Sequence, residues 1–451
     1  MRRNQTIDVA KVIDEAQFGA FQIRIASLLF AVMLLDGFDT QVIAFVAPAI
    51  GQELSIAPSS FGVIFSAGLL GAACGAFFLG RLADRVGRRI VLLACILEFS
   101  LLTLACAFAR SYEWLVVLRF AAGIGLGGAM PNLFALASEY APEKYRIALV
   151  TVTLWGIPLG GVLGGFLTAV LIRQYGWPIA FWVGGLTPLA LLPLFYFVLP
   201  ESIRFLTLAK RSPDIIARTL TKLSPGQQFT AQDNFVLLET QISASRISDL
   251  FSRNLRNGTV LLSLALFSSF VIVYLLTNWI PSVLAKSGLP IEKAVMGTVI
   301  FNIAGIIGSI IVSWIVQRVR PLPIICFGYF VGTLAVVSIG LVPAETTPLM
   351  IAIFFSGFFI IGVHLSIVGY IAAFYPTQIR ATGIGFTQSV SRIGSFVGPL
   401  LGGLLISLSL AQGQLFQFIA IPSFLAAVLV LLLEGSQRAR SPSNDYKVKA
   451  S

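Results

Sequence analysis

Two aspartates stand in the first long apolar run of the sequence, where a membrane-spanning helix ordinarily carries no charge. Asp36 and Asp39 lie between Ile25 and Ile50, three residues apart and therefore on the same face of a helix. An ionised carboxylate at the centre of a bilayer costs roughly 2.5–3.5 kcal/mol on insertion scales. Such residues usually face a polar cavity and handle protons, cations or a polar solute, so we expect both aspartates to carry the chemistry of this chain.

Two arginines also fall inside apolar runs, Arg119 and Arg392. An arginine inside a span needs an anionic partner, and a rise of about 1.5 Å per residue places Arg119 at the depth of Asp39. We expect Arg119 to pair with Asp39 before a substrate binds and with a substrate carboxylate afterwards, because a planar guanidinium suits a carboxylate. Arg392 offers a second positive site. The alternative is a static Arg119–Asp39 pair that only locks two helices together.

The elements that position these side chains are membrane-spanning helices. Of the 451 residues, 57% are hydrophobic and 11% are charged, whereas a soluble domain carries about 25% charged residues. The apolar runs exceed about 18 residues without an alternating pattern, which excludes barrel strands. We predict an all-α polytopic membrane protein of twelve transmembrane helices, with spans near 24–50, 59–80, 90–110, 114–138, 147–172, 178–199, 257–285, 294–316, 322–342, 348–372, 383–408 and 414–434.

These spans divide into two pseudo-symmetric six-helix bundles. GIPLGGVLGG at 156–165 is echoed by GSFVGPLLGG at 394–403, in the fifth span of each half. Repeated halves around a central site are typical of secondary transporters. We predict a cytoplasmic N-terminal segment (1–23), a first bundle (24–199), a cytoplasmic linker (200–256) with an amphipathic helix near 213–223, a second bundle (257–434) and a cytoplasmic tail (435–451).

The distribution of positive charge predicts the orientation. With both termini in the cytoplasm, 25 of the 31 lysines and arginines lie on the cytoplasmic side and four on the other. Topology therefore explains the net charge of +11, and no nucleic-acid partner is expected. The four cysteines lack metal-ligand spacing, so we expect neither a metal nor a cofactor. One histidine and no cluster of catalytic side chains at a membrane face argue against an enzyme.

The loop between the second and third spans carries the most specific motif. GRLADRVGRR at 80–89 resembles the loop signature of the major facilitator superfamily, whose glycines permit close helix approach and a tight turn. Its acid and arginines are expected to form ion pairs at the cytoplasmic face that hold the outward-open state. Charged residues at the ends of neighbouring spans are expected to add further ion pairs to this gate. The expected gating residues are Gly80, Asp84, Arg85, Gly87, Arg88, Glu139, Arg146 and Arg380.

Further motifs narrow the resemblance. Asp36-Gly37-Phe38-Asp39 resembles the first-helix motif of the aromatic acid:proton symporters, and RFAAGIGLGGAMPNLFALASEY at 119–140 is similar to the fourth helix of that family. Sugar porters share part of the first-helix motif, but Asp36 favours the aromatic-acid family. The resemblance implies proton-coupled import of hydroxybenzoates or hydroxyphenylpropionates by alternating access, with Asp36 and Asp39 holding or relaying the proton.

An aromatic acid also needs stacking and hydroxyl contacts within the spans. For each candidate, the alternative is a side chain that only packs helices together or lies at the membrane interface. The candidates for substrate binding are Arg119, Arg392, Phe38, Trp155, Tyr274, Asn278 and Gln388. His364, the only histidine, is a candidate proton relay, and its alternative is a hydrogen-bonded core histidine.

The resemblance implies a multi-pass protein of a bacterial inner membrane that functions as a monomer. Its expected partners are protons, a small aromatic carboxylate and the lipid bilayer. Two alternatives stay open at this point. One is a proton-coupled transporter of another small organic acid or a sugar, and the other is a transport-inactive sensor of aromatic acids.

Overall fold

A computed structural model describes residues 5–224, 226–238, 246–253, 255–343, 346–376 and 378–438. The predicted tail beyond 438, the first four residues of the N-terminal segment and residues 239–245 of the predicted linker lie outside the described residues. Within the part that is described, twelve helices are long and apolar enough to cross a membrane. The prediction of an all-α protein with twelve spans is therefore confirmed.

The first half begins with two short elements, β1 (Thr6–Asp8) and α1 (Val9–Asp14). Several of the membrane-spanning helices that follow extend beyond the apolar runs, because polar residues continue the helix at its ends. The Gln22 side chain, for example, accepts the Gly19 N–H at 3.1 Å at the start of the first span. These helices are α2 (Ala20–Glu53), α3 (Phe61–Val86), α4 (Arg88–Cys106), α5 (Tyr112–Tyr140), α6 (Glu143–Leu154), α7 (Gly156–Tyr175) and α8 (Pro178–Val198).

The fifth span is a helix interrupted at Trp155, so that α6 and α7 together cross the membrane. Pro158 explains the position of the interruption. Proline has no backbone N–H, so the carbonyl of Leu154 has no donor four residues later. The predicted span at 147–172 gave no indication of a break at this position.

The segment between the halves contains α9 (Ile203–Leu208), α10 (Pro213–Leu223) and β2 (Asn234–Val236). The predicted amphipathic helix is confirmed as α10, which buries Ile216, Leu220 and Leu223 on one face. β1 and β2 form a two-stranded parallel sheet with Thr6 opposite Asn234, and α1 packs against α9 and α10. The sequence did not predict this association of the chain's start with the segment after the sixth span.

The second half contains the other six spans. They are α11 (Arg256–Lys286), α12 (Ile291–Val316), α13 (Pro321–Leu341), α14 (Thr346–Phe374), α15 (Arg380–Ser407) and α16 (Gln412–Arg438). By contact, the chain divides into a first unit of Met1–Gln241 with Pro290–Val299 and a second unit of Ile242–Leu289 with Ile300–Ser451.

Each unit pairs equivalent helices. In the first unit α2 packs on α7 and α4 packs on α8, and in the second unit α11 packs on α15 and α13 packs on α16. The two glycine-rich repeats lie where α7 packs on α2 and where α15 packs on α11. A Cβ atom at Gly160 would overlap the Leu34 carbonyl oxygen of α2, and one at Gly398 would lie 2.5 Å from the Val271 carbonyl oxygen of α11. The repeated motif is therefore a helix-packing motif.

Candidate functional site

The first unit holds a buried ion pair between α2 and α5. Arg119 Nη2 lies 3.2 Å from Asp39 Oδ2, and Nη1 lies 3.4 Å from Oδ1, which is a two-pronged guanidinium–carboxylate arrangement. Nη2 also donates to the backbone oxygen of Asp39 at 2.9 Å. Asp39 is 0% exposed and Arg119 is 2% exposed. Two charges removed from water in this way are held by each other, and loss of one leaves the other strongly destabilised.

A third helix contributes to the pair. The Thr103 hydroxyl of α4 donates to Asp39 Oδ1 and is itself fully buried. The Asp39 carboxylate therefore accepts hydrogen bonds from α4 and α5 while its own backbone belongs to α2. Sequence reasoning missed Thr103, because a threonine in an apolar helix carries no signal that distinguishes a partner from a packing residue.

Two further residues of the α2 motif, Asp36 and Phe38, are also buried. Asp36 is buried, with 3% of its surface exposed. The Phe38 ring fills the space over Gly164 of α7 and Gly184 of α8, where a Cβ atom at either glycine would overlap or crowd the ring. Phe38 therefore packs helices of the first unit together, which is the alternative that the sequence left open for it.

A second charged cluster lies where α4 begins and α5 ends, on the predicted cytoplasmic side. Arg88 Nη1 pairs with Glu139 Oε1, and Arg88 Nη2 lies 3.6 Å from the exposed Asp84. The Ser202 hydroxyl donates to Glu139 Oε2 at 2.5 Å. The structure thus brings Arg88 and Glu139 together within one unit and ties them to the segment that follows α8.

The turn between α3 and α4 depends on Gly87. Its φ of +120° is a conformation that side-chain-bearing residues rarely adopt, and a Cβ atom there would lie 2.5 Å from Glu201 Oε2. Glu201 Oε1 accepts the Arg89 N–H at 3.0 Å and the Ser202 N–H at 2.9 Å. A carboxylate at the first turn of α4 is stabilised by the free N–H groups and the helix dipole. The sequence indicated Gly87 as a tight-turn residue but missed Glu201.

We expect Gly87→Ala to destabilise the protein, because the left-handed backbone costs about 1–3 kcal/mol for a residue with a Cβ atom and the methyl group displaces Glu201. The measurement is the thermal unfolding midpoint of the detergent-solubilised protein. Gly385→Ala is the matched control, since a Cβ atom there meets nothing within 4 Å. Equal midpoints for both variants would contradict the role assigned to this turn.

The other predicted gating residues make contacts of their own. Arg146 pairs with Asp14 of the N-terminal segment and donates through Nε to the Ser138 carbonyl oxygen at 3.1 Å. Arg380 donates to the Tyr375 carbonyl oxygen at 3.4 Å. Arg85 is exposed at the end of α3. Gly80 has only ordinary contacts, because a Cβ atom there would lie 3.5 Å from Pro131.

In the second unit, His364 of α14 is part of a buried hydrogen-bond network. Its Nδ1 lies 2.8 Å from the Ser269 hydroxyl of α11, and the Tyr329 hydroxyl of α13 donates to the same oxygen. The Phe270 ring meets the imidazole edge-on at 4.7 Å between centroids. His364 is therefore hydrogen-bonded in the core of the second unit, and its role as a proton relay stays a prediction.

The remaining candidates are distributed over both units. Asn278 of α11 is buried and donates to the Tyr274 carbonyl oxygen at 2.7 Å, while the Tyr274 ring stacks on Phe270 at 6.0 Å. Gln388 and Arg392 are partly buried on α15, and Trp155 is partly buried at the interruption of the fifth span. Among the residues that the structure describes, no group of three or more histidine, cysteine or acidic side chains is placed to hold a metal ion.

Helix number, repeated units and a buried ion pair in the membrane-spanning region are together typical of transporters. The family model of the Major Facilitator Superfamily matches residues 29–367. The chain belongs to this superfamily, and it is a membrane transporter rather than an enzyme.

Relatives and solved structures agree with this assignment. The chain is 40% identical to a gallate transporter of Pseudomonas putida, with 96% of each chain covered. It is 36% identical to a 4-hydroxybenzoate transporter of Pseudomonas aeruginosa, over 95% of this chain and 96% of the relative. The crystal structure of a D-xylose–proton symporter is similar with a TM-score of 0.72 at 18% identity, over 91% of this chain and 97% of that chain. The last comparison shows the shared fold.

Proposed function

We propose that this protein imports hydroxylated aromatic carboxylates, of the hydroxybenzoate or hydroxyphenylpropionate type, together with protons. It works by alternating access, needs no cofactor and lies in the inner membrane of a bacterium with both termini in the cytoplasm. The observation that carries the proposal is the buried, two-pronged pair between Asp39 and Arg119. A pair of this kind contains both a site for a proton and a site for a carboxylate.

In the proposed cycle, protonation of Asp39 is the event that prepares the carboxylate site. A proton on Asp39 neutralises the carboxylate, so the guanidinium of Arg119 loses its ionic partner. The substrate carboxylate then takes the place of the Asp39 carboxylate on the same two Nη groups, which already hold a carboxylate in the required geometry. Return of Arg119 to Asp39 expels both the proton and the substrate.

The names of two relatives support the class of substrate. The gallate and 4-hydroxybenzoate transporters carry, by name, aromatic rings with one carboxylate and one or more hydroxyl groups, and they match this chain over nearly its whole length. Asp36, the second aspartate of the motif, is proposed to share the proton with Asp39. For the ring and its hydroxyl groups we propose Tyr274, Asn278, Gln388, Arg392 and Trp155.

Uptake into vesicles that contain the purified protein tests this function. Labelled gallate, 4-hydroxybenzoate, 3-(3-hydroxyphenyl)propionate and D-xylose are offered with and without an imposed pH gradient, acid outside. We expect accumulation of at least one aromatic acid only when the gradient is present, and no accumulation of xylose. Vesicles without protein correct for diffusion of the uncharged acids through lipid.

Other outcomes of the uptake experiment would favour one of the alternative functions. Accumulation of xylose alone would make the chain a sugar porter. Binding of aromatic acids without uptake or exchange would make it a sensor, and uptake that ignores the pH gradient would remove proton coupling from the proposal.

A further inference from the structure

Glu98 is an acidic side chain in the membrane-spanning part of α4 that the proposed cycle does not use. It is partly buried, and its Oε2 atom is enclosed without a hydrogen-bond partner among the described residues. The carboxyl group lies against the bare backbone of α5 at Gly125, where a Cβ atom would overlap Oε2. An ionisable residue placed in this way inside a membrane protein is expensive to keep and is a candidate for function.

The position of Glu98 relates it to the ion pair. Glu98 precedes Thr103 by five residues on α4, and Gly125 follows Arg119 by six residues on α5. With a rise of about 1.5 Å per residue, the Glu98–Gly125 contact lies about 7–9 Å from the Asp39–Arg119 pair along the helices. The displacement is toward the ends of α4 and α5 that carry Arg88 and Glu139, the predicted cytoplasmic side.

Few other charges surround Glu98. The helices packed on α4 are α3, α5 and α8, all of them fully described. Away from their ends, α5 carries only Arg119 and α3 only Cys74 as charged or titratable residues, and α8 carries none. α4 itself adds Cys95, and α2 adds Asp36 and Asp39. The Asp39 carboxylate is hydrogen-bonded to α4 at Thr103, five residues from Glu98, so an ionised Glu98 and an ionised Asp39 repel each other.

The surroundings stabilise the neutral acid. A buried charge without a partner is strongly disfavoured, and Oε2 has no donor in the described part of the protein. The negative charge of Asp39 opposes a second negative charge nearby. A proton on Glu98 is therefore compatible with an ionised Asp39 held by Arg119, whereas an ionised Glu98 adds an uncompensated negative charge beside the place where a substrate carboxylate binds.

We propose that Glu98 is a proton-binding group that controls the affinity of the Arg119 site for anionic substrate: it is neutral while the anion is bound, and its ionisation expels the anion. The inference rests on the proposed function, because it assumes that Arg119 receives a carboxylate. It adds a third acid to the two aspartates of α2. It also gives the cytoplasmic release of substrate a proton-dependent step that is separate from protonation of Asp39.

Kinetics of Glu98→Gln as a function of pH test the proposal. In the wild-type protein we expect the KM for 4-hydroxybenzoate to rise about tenfold as the pH is raised, because Glu98 ionises and repels the substrate carboxylate at Arg119. In Glu98→Gln that rise is lost or moves to higher pH. Glu98→Asp, which keeps a carboxyl group, restores the rise.

Two comparisons separate this role from a structural one. Glu113→Gln makes the same chemical change at an exposed position on α5 and is expected to follow the wild-type pH profile. The ionisation of the substrate itself is the same in every experiment, so differences between the pH profiles of KM come from the protein. If Glu98→Gln changes KM by the same factor at every pH, or not at all, Glu98 only packs α4 against α5 and the proposal is overturned.

Labelling of the wild-type protein keeps the proposal testable if the variants fail to fold. Dicyclohexylcarbodiimide is an apolar reagent that adds to protonated carboxylic acids. We expect mass spectrometry of the treated protein to find the adduct on Glu98 at neutral pH and to find less of it as the pH rises. Absence of the adduct at Glu98, or labelling that ignores pH, overturns the proposal. If the wild-type protein transports no aromatic acid, the proposed function is contradicted. The labelling result would then still show whether Glu98 is protonated at neutral pH.

Discussion

Asp39→Asn is expected to abolish accumulation of substrate against a gradient. Asparagine keeps the size of the side chain and accepts the Thr103 hydroxyl, but it can neither take up nor release a proton. With one proton coupled, an imposed gradient of one pH unit drives about tenfold accumulation, since 1.4 kcal/mol corresponds to a factor of ten. The accumulation ratio of the variant should therefore fall from about ten to about one.

The measurement is the steady-state ratio of labelled substrate inside and outside vesicles under an imposed pH gradient. Exchange of internal for external substrate, which moves no net proton, is recorded in parallel and is expected to remain measurable. Asp214→Asn, an exposed aspartate in the first turn of α10, is the matched control. Full accumulation by Asp39→Asn would show that the proton travels elsewhere.

Arg119→Lys should weaken substrate binding by about 10–100-fold, seen as an increase in KM. The guanidinium contacts both Asp39 carboxylate oxygens and the Asp39 backbone oxygen through two nitrogens. Lysine keeps the charge but presents one flexible ammonium group, so the two-pronged contact with a carboxylate is lost, which corresponds to about 1.4–2.8 kcal/mol.

Arg119→Lys also distinguishes a substrate site from a static lock between α2 and α5. A lock predicts a lower unfolding temperature with an unchanged KM in the folded fraction, whereas a substrate site predicts the increase in KM. Both quantities are measured on the same preparation. Arg110→Lys, an exposed arginine before α5, serves as the control for the chemical change itself.

The spans were predictable because each is a long apolar run, and hydrophobicity alone determines which segments cross a membrane. The level of the ion pair was predictable for a related reason. Rise per residue converts a position on a helix into a depth, so Asp39 and Arg119 were expected at the same height. Depth does not give the direction in which a side chain points, and this is why the sequence listed Arg88 and Glu139 as gating residues without pairing them.

The short elements outside the membrane were beyond sequence reasoning. β1 and β2 are three residues each, too short for an alternating pattern, and their pairing joins segments with no local signal for each other. Glu201 lies just beyond α8, and its contact with the turn at Gly87 depends on how α8 leads into the loop after it. Such contacts follow from tertiary packing and not from local preference.

The strand pairing at the beginning of the chain affects how the protein is made. Gln5 and Asp233, which are hydrogen-bonded next to the paired strands, are 228 residues apart in the sequence. A ribosome that adds about 5–20 residues per second needs roughly 10–50 s to span that interval. For that time β1 has no partner, so β1 reaches its final place only after the segment that contains β2 has been made.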